Sequence, residues 1–125
     1  MTNDDSRRQE SAMTARETLR AELLTSGLSD EVPLAEVETV INRLQLTKTT
    51  AERQELALST MRSLVADGLM QFYGWEDLPL DEAMARVTER YVDQDDDPSA
   101  WVFSVWLKLT DAGKGVATAL KDKVD

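Results

Sequence analysis

The 125-residue chain contains neither histidine nor cysteine. Their absence removes the commonest general base, the usual nucleophile pairings and the ordinary zinc ligands. It also removes any disulfide frame and leaves the redox compartment open. Carboxylates remain in quantity, with 24 acids against 14 bases and a net charge of −10. Carboxylate-only catalysis needs two acids converging on one cleft, and no pair in this sequence specifies one. The expectation is a protein that is not an enzyme, with no cofactor and no metal.

Three stretches invite a chemical test. Asp93-Gln-Asp-Asp-Asp97 has the acid density of a calcium loop. An EF-hand begun at Asp93 wants Gly at its sixth position and Glu at its twelfth, where the chain has Pro98 and Ser104. It reads as a solvated acidic turn. Gly113-Lys-Gly115 follows an expected strand and opens an expected helix, but Lys108 and Gly115 stand where a phosphate-binding loop needs Gly and Ser or Thr. These glycines are read as allowing the helix to approach a sheet. Phe72, Tyr73, Trp75, Trp101, Phe103 and Trp106 could stack bases, but such platforms lie in basic grooves, and these six lie in the most acidic part of the chain. Alternation alone cannot send both Trp75 and Trp106 to the core, and an exposed Trp is a typical interface anchor.

The elements that position these residues follow from pattern. Residues 1–12 are read as a disordered N-terminal arm and 13–125 as a single domain, long enough to bury roughly two-thirds of its unfolded surface. Thr14-Ala-Arg-Glu17 predicts a capped helix start with Ala15, Leu19 and Leu23 inward and Gly27 as its end. A second helix follows Pro33, with Leu34, Val37, Val40, Ile41 and Leu44 on one side. Thr49-Thr-Ala-Glu52 announces a third, with Ala57, Leu58, Met61, Leu64 and Val65 inward and Leu56 stranded on the outer face. Gly68 suits a left-handed C-terminal cap. A strand over 69–75 and a turn at Glu76–Pro79 lead to a fourth helix striped by Leu80, Ala83, Met84, Val87 and Tyr91. Trp101, Phe103, Val105, Leu107 and Leu109 alternate along a second strand. Thr110 caps a last helix with Val116, Ala119 and Leu120 inward. The class is α+β and mostly helical: three N-terminal helices, a two-stranded β wing with an inserted helix, and a C-terminal helix.

Two segments carry a resemblance. Leu64-Val-Ala-Asp-Gly-Leu-Met70 resembles the end of a winged-helix recognition helix entering the first wing strand, and Trp106-Leu-Lys-Leu-Thr-Asp-Ala-Gly-Lys-Gly115 resembles the second wing strand and the start of the closing helix. Regulators of the MarR and PadR type share that winged helix-turn-helix pattern. The resemblance covers residues 14–123 and implies that the third helix reads DNA. Its groove positions would be Glu52, Glu55, Leu56, Ser59, Thr60 and Ser63. A basic footprint of Arg43, Lys48, Arg53 and Arg62 would be doubled in a dimer.

The charge departs from that pattern. DNA carries about one negative charge per 1.7 Å, which its binding proteins meet with several Lys or Arg. Forty-one residues separate Gly68 from Thr110, more than a simple wing needs. From Asp67 to Asp111 the chain has eleven acids and three bases. The expected partner is therefore a basic protein, with DNA as the alternative. The chain is expected to be a monomer or homodimer, off the membrane and in the cytoplasm, as an immunity protein, antitoxin or adaptor would be. Leu56, Trp75 and Trp106 are the candidate anchors. Glu76, Asp77, Asp93, Asp95, Asp96 and Asp97 are the candidate steering charges.

Overall fold

A computed structural model of the chain describes residues 3–94, 97 and 104–124. Its described elements are mostly helical, with a small antiparallel sheet, in an α+β arrangement. Helix α1 spans Asn3–Gly27. No Gly or Pro interrupts that run before Gly27, so the helix starts well ahead of Thr14. The Thr14–Glu17 pair lies inside it and caps nothing, and the backbone of the expected arm is helical from Asn3 on. Leu19, Leu23 and Leu24 are buried, and Ala15 packs beside them.

A short strand β1, Val32–Pro33, precedes helix α2, Leu34–Arg43. Two residues are too few to show a period, so this strand left no trace in the sequence pattern. It pairs antiparallel with strand β3, Trp106–Leu109, placing Val32 opposite Leu107 and Pro33 opposite Trp106. Leu34, Val37, Val40 and Ile41 of α2 are buried as expected. Leu44 follows the last turn and is exposed.

Helix α3 spans Thr50–Ala66, and its start forms as the sequence predicts. The Thr49 hydroxyl accepts from the Glu52 N–H at 3.1 Å, and the Glu52 carboxylate accepts from the N–H groups of Lys48 (2.9 Å) and Thr49 (3.2 Å). Its inner face differs from the expected one. Leu56 is only 9% exposed and Thr60 is fully buried, alongside Ala57, Met61 and Leu64. At 100° per residue these five lie on one arc, while Leu58 and Val65 sit at its edge, half-buried. The arc turned because α3 is gripped by α1, α2 and the fourth helix together. Among the described residues the Thr60 hydroxyl finds no hydrogen-bond partner.

The end of α3 is a Schellman cap. Gly68 has φ +75°, its N–H donates to Val65 O, and the Leu69 N–H donates to Leu64 O, both at 3.0 Å. Strand β2, Met70–Phe72, follows and pairs with β3, giving the sheet order β1-β3-β2. Helix α4, Leu80–Thr88, buries Ala83, Met84 and Val87. It then widens into a π-helical turn, Glu89–Asp93, which buries Tyr91 completely. Such turns mark a local change of helical register and recur at functional positions. Of the expected second strand, Trp106–Leu109 is extended; Trp101 and Phe103 lie outside the described residues.

Helix α5 spans Asp111–Val124 and packs along α1. Its start docks onto the end of α3. The Thr110 hydroxyl accepts from the Gly113 N–H at 3.0 Å and donates to Gly68 O at 2.6 Å, while the Thr110 N–H donates to Leu69 O at 3.1 Å. A Cβ on Gly113 would lie 1.9 Å from Leu69 O. Only glycine permits that approach, so the two segments that carry the resemblance meet in space. The inward residues of α5 are Gly113, Ala117 and Leu120, and the expected Val116 and Ala119 are exposed. The close contact at Gly113 fixes the helix's rotation and overrides the apolar pattern.

Candidate protein-binding surface

Alternation on β3 sends Leu107 into the core and leaves Trp106 and Lys108 on the opposite face. Gln71 of β2 lies opposite Lys108, and the Tyr73 N–H donates to Trp106 O at 2.9 Å. Pro33, Trp106, Gln71 and Lys108 are therefore neighbours on an outer sheet face, with Tyr73 at its end. The chain then turns: the Trp75 N–H donates to Phe72 O at 3.0 Å, with Gly74 at φ +83°. This turn leaves Tyr73 58% exposed and returns Trp75 to the body.

Trp75 is engaged on several sides. Its ring centroid lies 6.0 Å from that of Phe72, tilted by 48°. The Arg90 guanidinium sits 4.9 Å from the ring centroid and that of Arg86 5.8 Å. Arg90 also donates to Ser104 O at 3.4 Å, tying the π-helical turn to the approach of β3. Trp75 thus fastens the insert, and most of its surface is already used. A groove of about 330 Å³ beside it is lined chiefly by Val65, Met70, Phe72, Leu78 and Leu80, and Glu76 is the one carboxylate in its lining.

Tyr73, Glu76 and Lys108 form an exposed cluster. The Lys108 ammonium lies 3.5 Å from Glu76 Oε1 and 5.4 Å from the Tyr73 ring centroid. The Glu76 carboxyl is held below the usual carboxylate range, first by hydrogen bonding to its own backbone N–H, which outweighs the opposing effect of burial, and further by the Gly74 backbone and Lys108. It is charged at any ordinary working pH. Lys108 and Glu76 are 36% and 34% exposed, so solvent screens the pair and keeps it weak. Asp77 follows, exposed, and makes no ion pair among the described residues.

The structure distributes the other candidates unevenly. Asp93 and Asp97 are exposed, whereas Asp95 and Asp96 lie outside the described residues. Leu56 is withdrawn from the anchor set by its burial in α3. Trp106 remains on the outer sheet face, half-buried. The candidate DNA-contacting arginines are each paired with an acid: Arg43 with Glu22 at 3.1 Å, Arg62 with Asp81 at 2.7 Å, and Arg53 with Glu38. Lys48 is exposed. The exposed residues of α3 are Thr50, Ala51, Glu52, Glu55, Arg62 and Ala66, which keeps an acidic balance after the rotation of the helix.

Arg53 belongs to a second cluster. Glu38 of α2 accepts from its guanidinium, and the same carboxylate oxygen accepts from the Tyr91 hydroxyl at 2.6 Å. Burial works against the Arg53 charge, but Glu38 more than offsets it and holds the guanidinium above its usual range. Burial, then the hydrogen bond to Glu38, pushes the Tyr91 phenol well up.

The sequence pattern did not single out Tyr73 and Lys108 as candidate surface residues. The signal was present: alternation with buried Met70 and Phe72 puts Tyr73 outside, just before a glycine and two acids. Comparison of the chain with protein-family models, curated proteins and solved structures found no match. Among the described residues no helix is long and apolar enough to cross a membrane.

Proposed function

We propose that this chain is a winged-helix-like, non-enzymatic binding module that acts through protein–protein contact, as an immunity protein, antitoxin or adaptor does, on a basic partner in the cytoplasm. The observation that carries the reading is the outer sheet face, where exposed Tyr73 lies next to half-buried Trp106 and Lys108 links Tyr73 to Glu76, with exposed Asp77 following in sequence. Aromatic anchors with a charged rim are the common anatomy of such contacts. The fold reading is supported by β3 lying between β1 and β2, by the β2–β3 pair that follows the third helix, and by the docking of Thr110 and Gly113 onto Gly68 and Leu69. The arginine pairings described above count against the alternative of a DNA-binding regulator.

The mechanism is electrostatic steering followed by aromatic anchoring. Reversing Glu76, Asp77, Asp93 and Asp97 to Lys should slow association with the captured partner and flatten its salt dependence. An unchanged rate and salt dependence would overturn the mechanism. Affinity capture from native lysate, with and without nuclease, separates the two partner classes. A basic protein retained after nuclease supports the reading, and recovery of DNA alone replaces it with the regulator.

A further inference from the structure

The geometry points to the notch between Tyr73 and Glu76, where Lys108 sits as a resident plug, as the seat of an arginine side chain from the partner. This assignment rests on the acidic-surface reading above. Lys108 already shows what the notch accepts: a cation beside an aromatic ring, 5.4 Å from its centroid, and a carboxylate oxygen, 3.5 Å away. The plug is loosely held, because both of its contacts are solvent-exposed and screened. Asp77, next in sequence to Glu76, adds a second exposed carboxylate to this stretch.

An incoming guanidinium has three advantages over the resident ammonium. It is planar and stacks on a tyrosine face, it is more weakly hydrated, and it can bond one carboxylate while its other donors reach a second. The occupant is therefore an arginine-bearing exposed segment of a basic protein. The net charge of −10 and the exposed acids near the turn favour its approach.

The test uses the full chain and a fluorescein-labelled hexa-arginine peptide, followed by fluorescence anisotropy at low ionic strength. Removing the plug with Lys108→Ala should tighten binding roughly three- to tenfold. Lys121→Ala removes the same charge from an exposed site on α5 and should change binding by less than about twofold. Tyr73→Leu keeps apolar area but removes the π face, and should weaken binding roughly threefold. Circular dichroism melting checks that each variant is folded. If Lys108→Ala and Lys121→Ala tighten binding equally while reversal of the acids abolishes it, the notch is wrong and the acidic-surface reading stands. If the peptide binds no variant, including Lys108→Ala, the acidic-surface reading falls with the notch.

Discussion

The molecule holds two clusters built from the same three chemical parts, a tyrosine, a glutamate and a cation. The inner one, Tyr91–Glu38–Arg53, joins α2, α3 and the π-helical turn, with Arg53 and Glu38 only 25% and 16% exposed. The outer one, Tyr73–Glu76–Lys108, sits on the β2–β3 surface with every member in contact with water. In the inner cluster Tyr91 donates a directed hydrogen bond to the carboxylate, whereas in the outer one the Tyr73 ring lies beside a solvent-exposed ammonium. Low local dielectric makes the first set costly to break, and solvent makes the second easy to exchange. Burial, not composition, separates a structural clasp from an exposed, exchangeable contact.

Removing the cation should separate the two most widely. Arg53→Met leaves Glu38 largely buried without its partner and should destabilise the fold by about 2–3 kcal/mol, somewhat less than for a fully buried pair. Urea denaturation measures it. A loss under about 1 kcal/mol would mean that Glu38 is effectively solvated, and the two clusters would then be alike.

The hydroxyl comes next. Tyr91→Phe keeps the ring and deletes a hydrogen bond to a charged acceptor, so a loss of about 1.5 kcal/mol is expected. Its pH dependence has a definite sign. The folded-state phenol titrates above its unfolded value of about 10. The stability that Tyr91 supplies is therefore fully present below about pH 10 and is lost as pH rises towards the folded value. The wild-type advantage over Tyr91→Phe should hold through neutral and mildly alkaline pH and shrink above about pH 10. In a Tyr73→Phe background, tyrosinate absorbance should appear only as helical circular dichroism is lost. Tyrosinate formed before unfolding would show that Tyr91 is reached by solvent in the native state.

These clusters also show what a sequence can reveal. The Thr49–Glu52 box, the Gly68 cap and the Thr110 cap are legible because each depends on residues a few positions apart. The inner cluster spans Glu38, Arg53 and Tyr91, and nothing local announces that these three converge. The burial of Leu56 and Thr60 was hidden for the same reason. Three neighbouring helices set the rotation of α3, and its apolar residues spread too widely for the pattern alone to fix the inner face. Strand β1 exists only through its pairing with β3. Tyr73 is the reverse case, since alternation with Met70 and Phe72 is a local signal that places it on the outer face.

The smallest effect on stability belongs to the outer cluster. Lys108→Ala should change the unfolding free energy by less than about 0.5 kcal/mol, as exposed ion pairs usually do. A double-mutant cycle with Glu76→Gln should give a coupling of the same small size, vanishing at high salt as screening removes it. The matching cycle for Arg53 and Glu38 should exceed about 1.5 kcal/mol and survive that salt. The Glu76 carboxyl is held low, so its pairing with Lys108 is present above the usual carboxylate range and is lost only as pH falls through the lower folded value. A plug that costs the fold almost nothing to remove can yield its place to a partner's cation. Were the outer coupling as large as the inner one, Lys108 would be part of the scaffold and could not be displaced.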